Sequence, residues 1–500
     1  MKKCILAICL FLGICAANAQ EKVKEVVSDK YDRNSVSYIF VERHQHPDVV
    51  EFYKSFSISK KFDVNDIETK VLEVNCPNPH VAATEADVKK AVNESNIGKE
   101  IISYVFNRKE DGSFDDKIIL ERGRYNAKDQ DIKNLEAAKV KELAWEWGEP
   151  LVNSAYIVIY DVYNTDISRD KKGNITYKAH ACANVFKLKA NRDILDEFYS
   201  TAWADASSTA EEKAKASEAY NDMKFEFKYV TSVTSFGLSM DTKYKKGSIY
   251  EACVSAYEDV FRNLENKIDA WQVKTYVTSV RPLAAKIGTK EGLKNGCRYQ
   301  AYSYAEDKNG ELKSVKRGMA RATVIANNST VATGNSKESL FYQISGFKNI
   351  EEGYVLRQKN DIKLGIGLTA GLSAIGFRAG LDCDYILHIG KRGAITYAML
   401  NAGYNIGEVS GEPAVEVDGM IGLGYGIPLT RFFEITPYAM FGGFYNIHTE
   451  KISTYIAEPG VRLAATLQPW SIFINAGAQV LFGEYVGYGP SVKFGIKRTF

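Results

Sequence analysis

Long hydrophobic runs are absent from this sequence, and the 500 residues include only 8 cysteines, 11 prolines and 6 histidines. After residue 19, no segment holds the ~18 consecutive apolar residues of a transmembrane helix, so only strands could cross a membrane. The cysteines beyond that point are Cys76, Cys182, Cys253, Cys297 and Cys383. They form no C-x-x-C pair, which argues against zinc ribbons and thioredoxin-like redox sites. One or two disulfides and buried free thiols are both open alternatives.

Neither sign of charge dominates the chain. Removing the first 19 residues would take away Lys2 and Lys3 and leave 62 basic and 62 acidic residues. A neutral balance without a basic tract argues against nucleic acid as a partner. The phosphate-binding loop, the dinucleotide glycine fingerprint, G-x-S-x-G and H-E-x-x-H are also missing. The sequence therefore indicates no cofactor and favours a protein that is not an enzyme.

The first 19 residues have the pattern of a secretory signal. Lys2 and Lys3 form a basic start, residues 4–16 are apolar, and Ala17 and Ala19 form an A-x-A cleavage site. The apolar stretch is too short to cross a bilayer as a helix. We therefore predict export from the cytoplasm and cleavage after Ala19.

Residues 361–500 differ in composition from the rest of the chain, since they hold 22 of the 38 glycines and only 21 charged residues. Apolar and polar residues alternate there with period 2, as the side chains of a strand do. In the last strand, the apolar face comprises Val492, Phe494, Ile496 and Phe500. Alternation between an apolar row and a polar row rich in small residues is the signature of a bacterial outer-membrane barrel.

The alternation predicts eight antiparallel strands. They cover residues 362–374, 377–389, 394–404, 414–427, 431–444, 455–467, 471–482 and 491–500. Together with the aromatic residue Phe500, this pattern resembles the eight-stranded outer-membrane barrels of the outer-membrane protein A type. The resemblance implies a location in the outer membrane, contact with its lipid, and recognition by the barrel assembly machinery through the apolar face of the last strand.

Turn lengths predict the orientation of this barrel. The turns around residues 390–393, 428–430 and 468–470 are short, whereas those at 405–413, 445–454 and 483–490 are longer. Barrels of this class keep short turns in the periplasm, and an even number of strands places the start of the barrel on the same side. We therefore expect residues 20–358 in the periplasm. The reverse orientation would instead make the chain a surface adhesin.

Charged residues occupy predicted inward positions of the barrel. These positions are Lys363, Arg378, Asp382, Asp384, Glu416, Asp418, Glu434, Arg462, Lys493 and Lys497. Five bases and five acids in an interior of low dielectric should pair, because an unpaired buried charge costs several kcal/mol. An eight-stranded barrel is just wide enough for side chains to fill it. The sequence therefore favours a plugged interior with a charge network over a diffusion channel.

Three units are predicted before the barrel: an α/β domain at 20–150, an α+β domain at 151–285 and a small β-barrel at 286–358. In the first unit we expect a strand at 37–42 and helices at 86–92 and 127–147. In the second we expect strands at 155–163 and 175–188, a helix-rich region at 193–223, a strand region at 225–238 and a helix at 249–271. The predicted fold class is thus multidomain, with an α+β region ahead of two barrels of different size.

The third unit is marked by glycine-containing turns. Gly292 and Gly296 enclose a tight turn before the strand at 298–302, and further turn signatures follow at 316–318 and 350–353. This pattern resembles the SH3-like barrel at the end of flagellar assembly protein T and related envelope proteins. The family often has an aspartate where this chain has Cys297.

Histidines supply few candidates for chemistry. His44 and His46 could lie on one face as zinc ligands, but Pro47 follows at once and a solvated turn is favoured. His180 and Cys182 share a strand face and are better explained by packing. The barrel contributes His388 and His448, and His448 with Glu450 is the least implausible pair for a lipid-modifying enzyme of the outer leaflet.

These patterns lead to one preferred function and two alternatives. We expect an outer-membrane barrel that anchors a periplasmic binding or scaffolding arm, whose partners are other envelope proteins or the cell wall. A lipid-modifying barrel enzyme and a surface adhesin are the alternatives.

Overall fold

The structure is a computed structural model that describes most of the chain after residue 32. The described residues are 33–43, 46–78, 80–119, 151–171, 173–242, 245–306, 312–329, 337–359, 361–409, 412–446 and 451–500. The predicted signal peptide with Ala17 and Ala19, the predicted helix at 127–147, and the residues His44, His448 and Glu450 lie outside them. Within the described residues, an open six-stranded sheet, a closed six-stranded barrel and a closed eight-stranded barrel follow one another along the chain.

The open sheet and its helices form the first part of the protein. Its strands are β1 (Ser35–Val41), β2 (Asp63–Val64), β3 (Val71–Leu72), β4 (Ala155–Arg169), β5 (Ile175–Leu188) and β6 (Phe227–Met240). The helices are α1 (Pro47–Ser55), α2 (Glu85–Glu94), α3 (Ile97–Val105), α4 (Arg192–Glu197), α5 (Ala210–Asp222) and α6 (Ile249–Lys267). The strand order is β2-β1-β4-β5-β6, with β3 also paired to β1. Strand β1 is parallel to β2, β3 and β4, whereas β5 is antiparallel to both β4 and β6.

This sheet crosses the boundary that we predicted at residue 150. Strand β1 pairs with β4 from Ser35↔Ala155 to Phe40↔Tyr160. Every residue of β1 is buried, so the strand needs neighbours on its edges and cover on both faces. Strand β4, which lies after residue 150, is one of these neighbours. The predicted first and second domains therefore share one sheet.

Helix α6 shows how local sequence builds this layer. Ala252, Ala256, Val260 and Leu264 follow one another at helical spacing, and all four are buried. The helix lies close to the sheet at Gly237, where an added Cβ would come within 2.0 Å of the Ala252 carbonyl oxygen. The predicted helix at 249–271 is thus observed as Ile249–Lys267.

The six-stranded barrel begins earlier than predicted. Its strands are β7 (Lys274–Val280), β8 (Leu283–Ala285), β9 (Arg298–Glu306), β10 (Leu312–Val324), β11 (Ser339–Ser345) and β12 (Val355–Lys359). They close in the order β10-β11-β8-β7-β12-β9, so the unit starts at Lys274 and not at residue 286. The expected tight turn is present, because Gly292 and Gly296 have φ values of 73° and 83°, a region that favours glycine.

The eight-stranded barrel confirms the central prediction from the sequence. Its strands are β13 (Leu364–Ser373), β14 (Gly376–Ile389), β15 (Ile395–Val409), β16 (Glu412–Pro428), β17 (Phe433–Asn446), β18 (Lys451–Leu467), β19 (Trp470–Gly483) and β20 (Gly487–Thr499). Each strand pairs with the next, and β20 pairs with β13 to close the cylinder. We call the end where β13 begins and β20 ends the near end, and the opposite end the far end.

The long far-end loops that we expected are largely strand. Strand β15 reaches Val409 and β16 begins at Glu412, while β18 starts at Lys451 and β20 at Gly487. Ladder pairing continues through glycine and asparagine in these segments, as far as Val409↔Glu412. The turn lengths therefore do not distinguish the two ends of the barrel.

Candidate functional site

The outer wall of the large barrel is apolar on every strand. One residue of each strand illustrates this: Leu368, Leu381, Leu400, Ile421, Phe441, Leu463, Ile472 and Phe494, in order from β13 to β20. Their side chains are between 50% and 66% exposed. Exposed apolar patches on soluble monomers rarely exceed a few hundred Å². A belt that passes around all eight strands therefore marks a surface built to contact an apolar surrounding.

The interior of the same barrel is charged. Arg378 donates to both oxygens of Asp418, at 2.6 Å from Nε and 2.7 Å from one Nη. Both side chains are fully buried. Asn405 donates to the same carboxylate at 2.6 Å, and Arg378 also contacts Asn401. The bidentate geometry and the amide partners satisfy a pair of charges that water does not reach.

A second interior group centres on Arg462. Its guanidinium donates to both oxygens of Asp382, at 2.7 and 2.8 Å, and to Asp384 at 2.9 Å. Lys497 donates to Asp384 as well. The guanidinium also lies 4.4 Å from the centre of the Phe473 ring. Two bases and two acids thus neutralise one another inside the barrel.

A third interior group contains a residue that our sequence analysis missed. Lys493 donates to both carboxylate oxygens of Glu458 at 2.7 Å, and both side chains are fully buried. Tyr438 and Gln479 donate to the same carboxylate at 3.0 and 2.8 Å. Glu458 lies four residues before Arg462 on β18, so strand alternation places both on one face. That parity was the signal available in the sequence.

Three predicted interior residues lie outside these three groups. Lys363 precedes β13 and donates to the Asn295 carbonyl of the small barrel at 2.7 Å. Glu434 is half-buried near the near end and accepts from Tyr397 at 3.1 and 3.2 Å. Glu416 is buried and accepts from the Tyr485 hydroxyl at 3.2 Å. Asn401 accepts from Arg378 and donates to Asp382 at 3.0 Å, so the first two groups are joined in one network.

The near end of the large barrel contacts the small barrel. The Asn295 side chain donates to the Ile389 carbonyl at 2.7 Å and accepts from the Ile389 amide at 2.9 Å. Arg321 forms a buried ion pair with Asp361 in the connection between the barrels. A cavity of about 70 Å³ lies between the two units, with Arg321 and Glu434 in its lining. These contacts place the small barrel against the near end.

Burial affects the charged groups of this junction. It lowers the pKa of Arg298, whose guanidinium lies 4.0 Å from the Asp361 carboxylate. The carboxylate of Asp361 opposes this effect, and the like charge of Arg321 adds to it. Asp361 therefore balances two buried guanidinium groups where the chain passes from one barrel to the other.

Strand β6 forms one edge of the open sheet. Its side chains Phe236, Leu238 and Met240 are 51%, 45% and 58% exposed, and Lys228 is the only charged residue in its 14 positions. Proteins usually protect a long edge strand with charges, proline or extra cover. A nearly uncharged edge with an apolar row is a ready template for an extended partner strand.

A cleft of about 640 Å³ lies beside strand β1. Its lining includes Tyr38, Phe40, Tyr53 and Phe56, and the Phe40 and Tyr53 rings stack at 3.9 Å. Volumes of this size and aromatic walls are typical of ligand-binding clefts. The residues of the cleft come from separate segments of the chain, so no local sequence pattern predicts it.

The histidine candidates have local structural roles. The His46 ring nitrogen accepts from the Asp48 amide at 3.2 Å and caps α1. His180 lies between Tyr163 and Phe236, with ring centres 5.8 and 5.9 Å away, and Cys182 accepts from Asn184 at 3.7 Å. His388 is exposed on β14. Among the residues that the structure describes, no three His, Cys, Asp or Glu side chains are arranged to hold a metal ion, and the five described cysteines are free thiols.

The described part of the chain contains no helix with the length and apolarity needed to cross a bilayer.

Comparisons with known proteins do not identify a family for this chain. No known protein family matches the chain, and no curated protein matches it either. Among solved structures, the β domain of the Bordetella autotransporter Brka aligns with 69% of this chain and 98% of its own length. The sequence identity is 10% and the TM-score is 0.16.

Proposed function

We propose that this chain is a non-enzymatic anchor of the bacterial outer membrane whose remaining domains form a binding arm. One observation carries the proposal: the eight-stranded barrel exposes apolar side chains on every strand and buries ion pairs inside. Soluble proteins instead expose most of their charged side chains to water. A closed barrel also leaves no unpaired strand edge in lipid.

The arm belongs on the periplasmic side in this proposal. The first and the last strand of the barrel begin and end, respectively, at the near end. The small barrel contacts the large one there, through Asn295 and Ile389. Residues 20–358 would then reside in the periplasm, with the small barrel acting as an SH3-like interaction module. The last strand, with Phe494 and Ile496 facing outward, would be the element that the barrel assembly machinery recognises.

We assign the edge strand β6 as the binding surface of the arm. Its natural occupant is an extended segment of another envelope protein, which would add to the sheet and place apolar side chains against Phe236, Leu238 and Met240. The nearly uncharged edge favours an apolar partner strand, because a charged one would lose hydration without a counter-charge.

Introducing a charge at this edge should prevent the pairing. Leu238→Lys places an ammonium group on the apolar row, and we expect at least a several-fold loss of the partner that co-purifies after crosslinking in cells. The matched control is Ile167→Lys, because Ile167 is 54% exposed on the same sheet but lies on β4, outside the β6 edge. Equal recovery of the partner with both variants would remove β6 from the proposal.

A further inference from the structure

A loop of the small barrel continues the apolar surface of the large one. Phe347 follows β11 and is 87% exposed. Its ring centre lies 5.7 Å from that of Phe432, in the near-end turn between β16 and β17. The neighbouring Leu429 and Phe433 are 63% and 55% exposed. Phe347 therefore extends the apolar belt of the barrel onto the arm.

This loop is fastened to the barrel. Arg431, in the same near-end turn, donates to the Gly346 carbonyl at 3.1 Å and to the Asn349 side chain at 2.6 Å. Gly346 has a φ of 108°, and a Cβ there would lie 2.4 Å from the Arg317 carbonyl oxygen. Backbone geometry and the arginine together hold Phe347 outward beside the barrel wall.

The near-end turns of the large barrel carry positive charges, whereas the loop of Phe347 contains Lys348 together with Glu351 and Glu352. The near-end turns at 390–394, 429–432 and 468–469 contain Lys391, Arg392 and Arg431 but no aspartate or glutamate. Lys348 is exposed next to Phe347. An aromatic side chain flanked by cations suits the boundary between phospholipid headgroups and acyl chains, where rings bury and ammonium groups meet phosphates.

We propose that Phe347 inserts into the phospholipid leaflet at the near end, while Lys348, Lys391 and Arg392 contact headgroup phosphates. This inference rests on the proposed function, since it requires the large barrel to be in a membrane. The small barrel then contacts the membrane directly, in addition to being linked covalently to the large barrel. The arm leaves the membrane in a fixed direction as a result.

Quenching of tryptophan fluorescence by brominated phospholipids tests the contact. The full chain would be reconstituted into vesicles with bromine near the headgroup end of the acyl chains. The variant Phe347→Trp has one more tryptophan than the wild-type protein, and the difference between their emissions reports on position 347. These lipids should reduce that added emission roughly by half, because interfacial groups bury about 5–10 Å deep. The matched control is Ile167→Trp, because Ile167 is 54% exposed on strand β4 of the open sheet, outside the two barrels. Its added emission should not change.

The native Trp470 distinguishes a failure of the Phe347 contact from a failure of the proposed function. Trp470 is 36% exposed at the near end of the barrel wall, so the brominated lipids should quench part of the wild-type emission. If they quench the wild-type protein but not the emission added at position 347, the Phe347 contact is wrong and the membrane barrel stands. If the wild-type protein itself is not quenched, the proposed function fails.

Discussion

Replacing Arg378 with methionine should destabilise the large barrel by about 3–5 kcal/mol, because the change leaves the Asp418 carboxylate buried without its counter-charge. Both side chains are fully buried and joined by two hydrogen bonds. The neighbouring Asn405 donates to Asp418 but carries no positive charge. Urea unfolding of protein refolded into lipid vesicles, followed by gel mobility, measures the loss.

The double variant Arg378→Met with Asp418→Leu is the matched control. Removing both charges eliminates the uncompensated carboxylate, so the double variant should recover most of the stability lost in the single one. A single variant as stable as the wild-type protein would contradict the buried pair. A double variant that is no more stable than the single one would show that the shape of these side chains, and not their charge, determines the stability of the barrel at this site.

Placing a charge on the outer wall should be costly only if lipid covers it. Leu368 is 64% exposed near the middle of β13, and Leu368→Arg should cost about 2–4 kcal/mol in vesicles, as arginine does at the bilayer midplane of other barrels. In water, the same substitution at an exposed position would change stability by no more than about 0.5 kcal/mol. The measurement is the urea midpoint of the refolded barrel.

The control for this change is the same substitution on the small barrel. Val324 is 41% exposed on β10, and Val324→Arg should leave unfolding within about 0.5 kcal/mol of the wild-type protein. Equal, small effects at both positions would mean that water and not lipid surrounds the wall at Leu368.

Strand alternation allowed the large barrel to be predicted from the sequence. A period of two separates outward from inward positions, so the strands and interior residues such as Arg378, Asp418 and Arg462 follow from local pattern. Glu458 shares the parity of Arg462 and needed only the same rule. The pattern does not show which acid pairs with which base, because that depends on neighbours several strands away.

Other features depend on contacts distant in sequence. Strand β1 is buried against β4, which follows after more than a hundred residues, so composition along the chain suggested two domains where the structure has one sheet. Turn-forming residues such as Gly407 predicted a long loop, yet Gly407 pairs with Ala414 in the ladder. The position of Phe347 beside Phe432 depends on how two units dock, which periodicity does not encode.

Protease protection in cells tests the central claim most directly. We predict that the chain sediments with the outer membrane and resists alkaline extraction, as a membrane barrel does. Protease added to intact cells should leave residues 20–358 uncut and should degrade them once the outer membrane is permeabilised. Release of the chain by alkaline extraction would contradict the membrane anchor, and degradation of this region in intact cells would contradict the periplasmic arm.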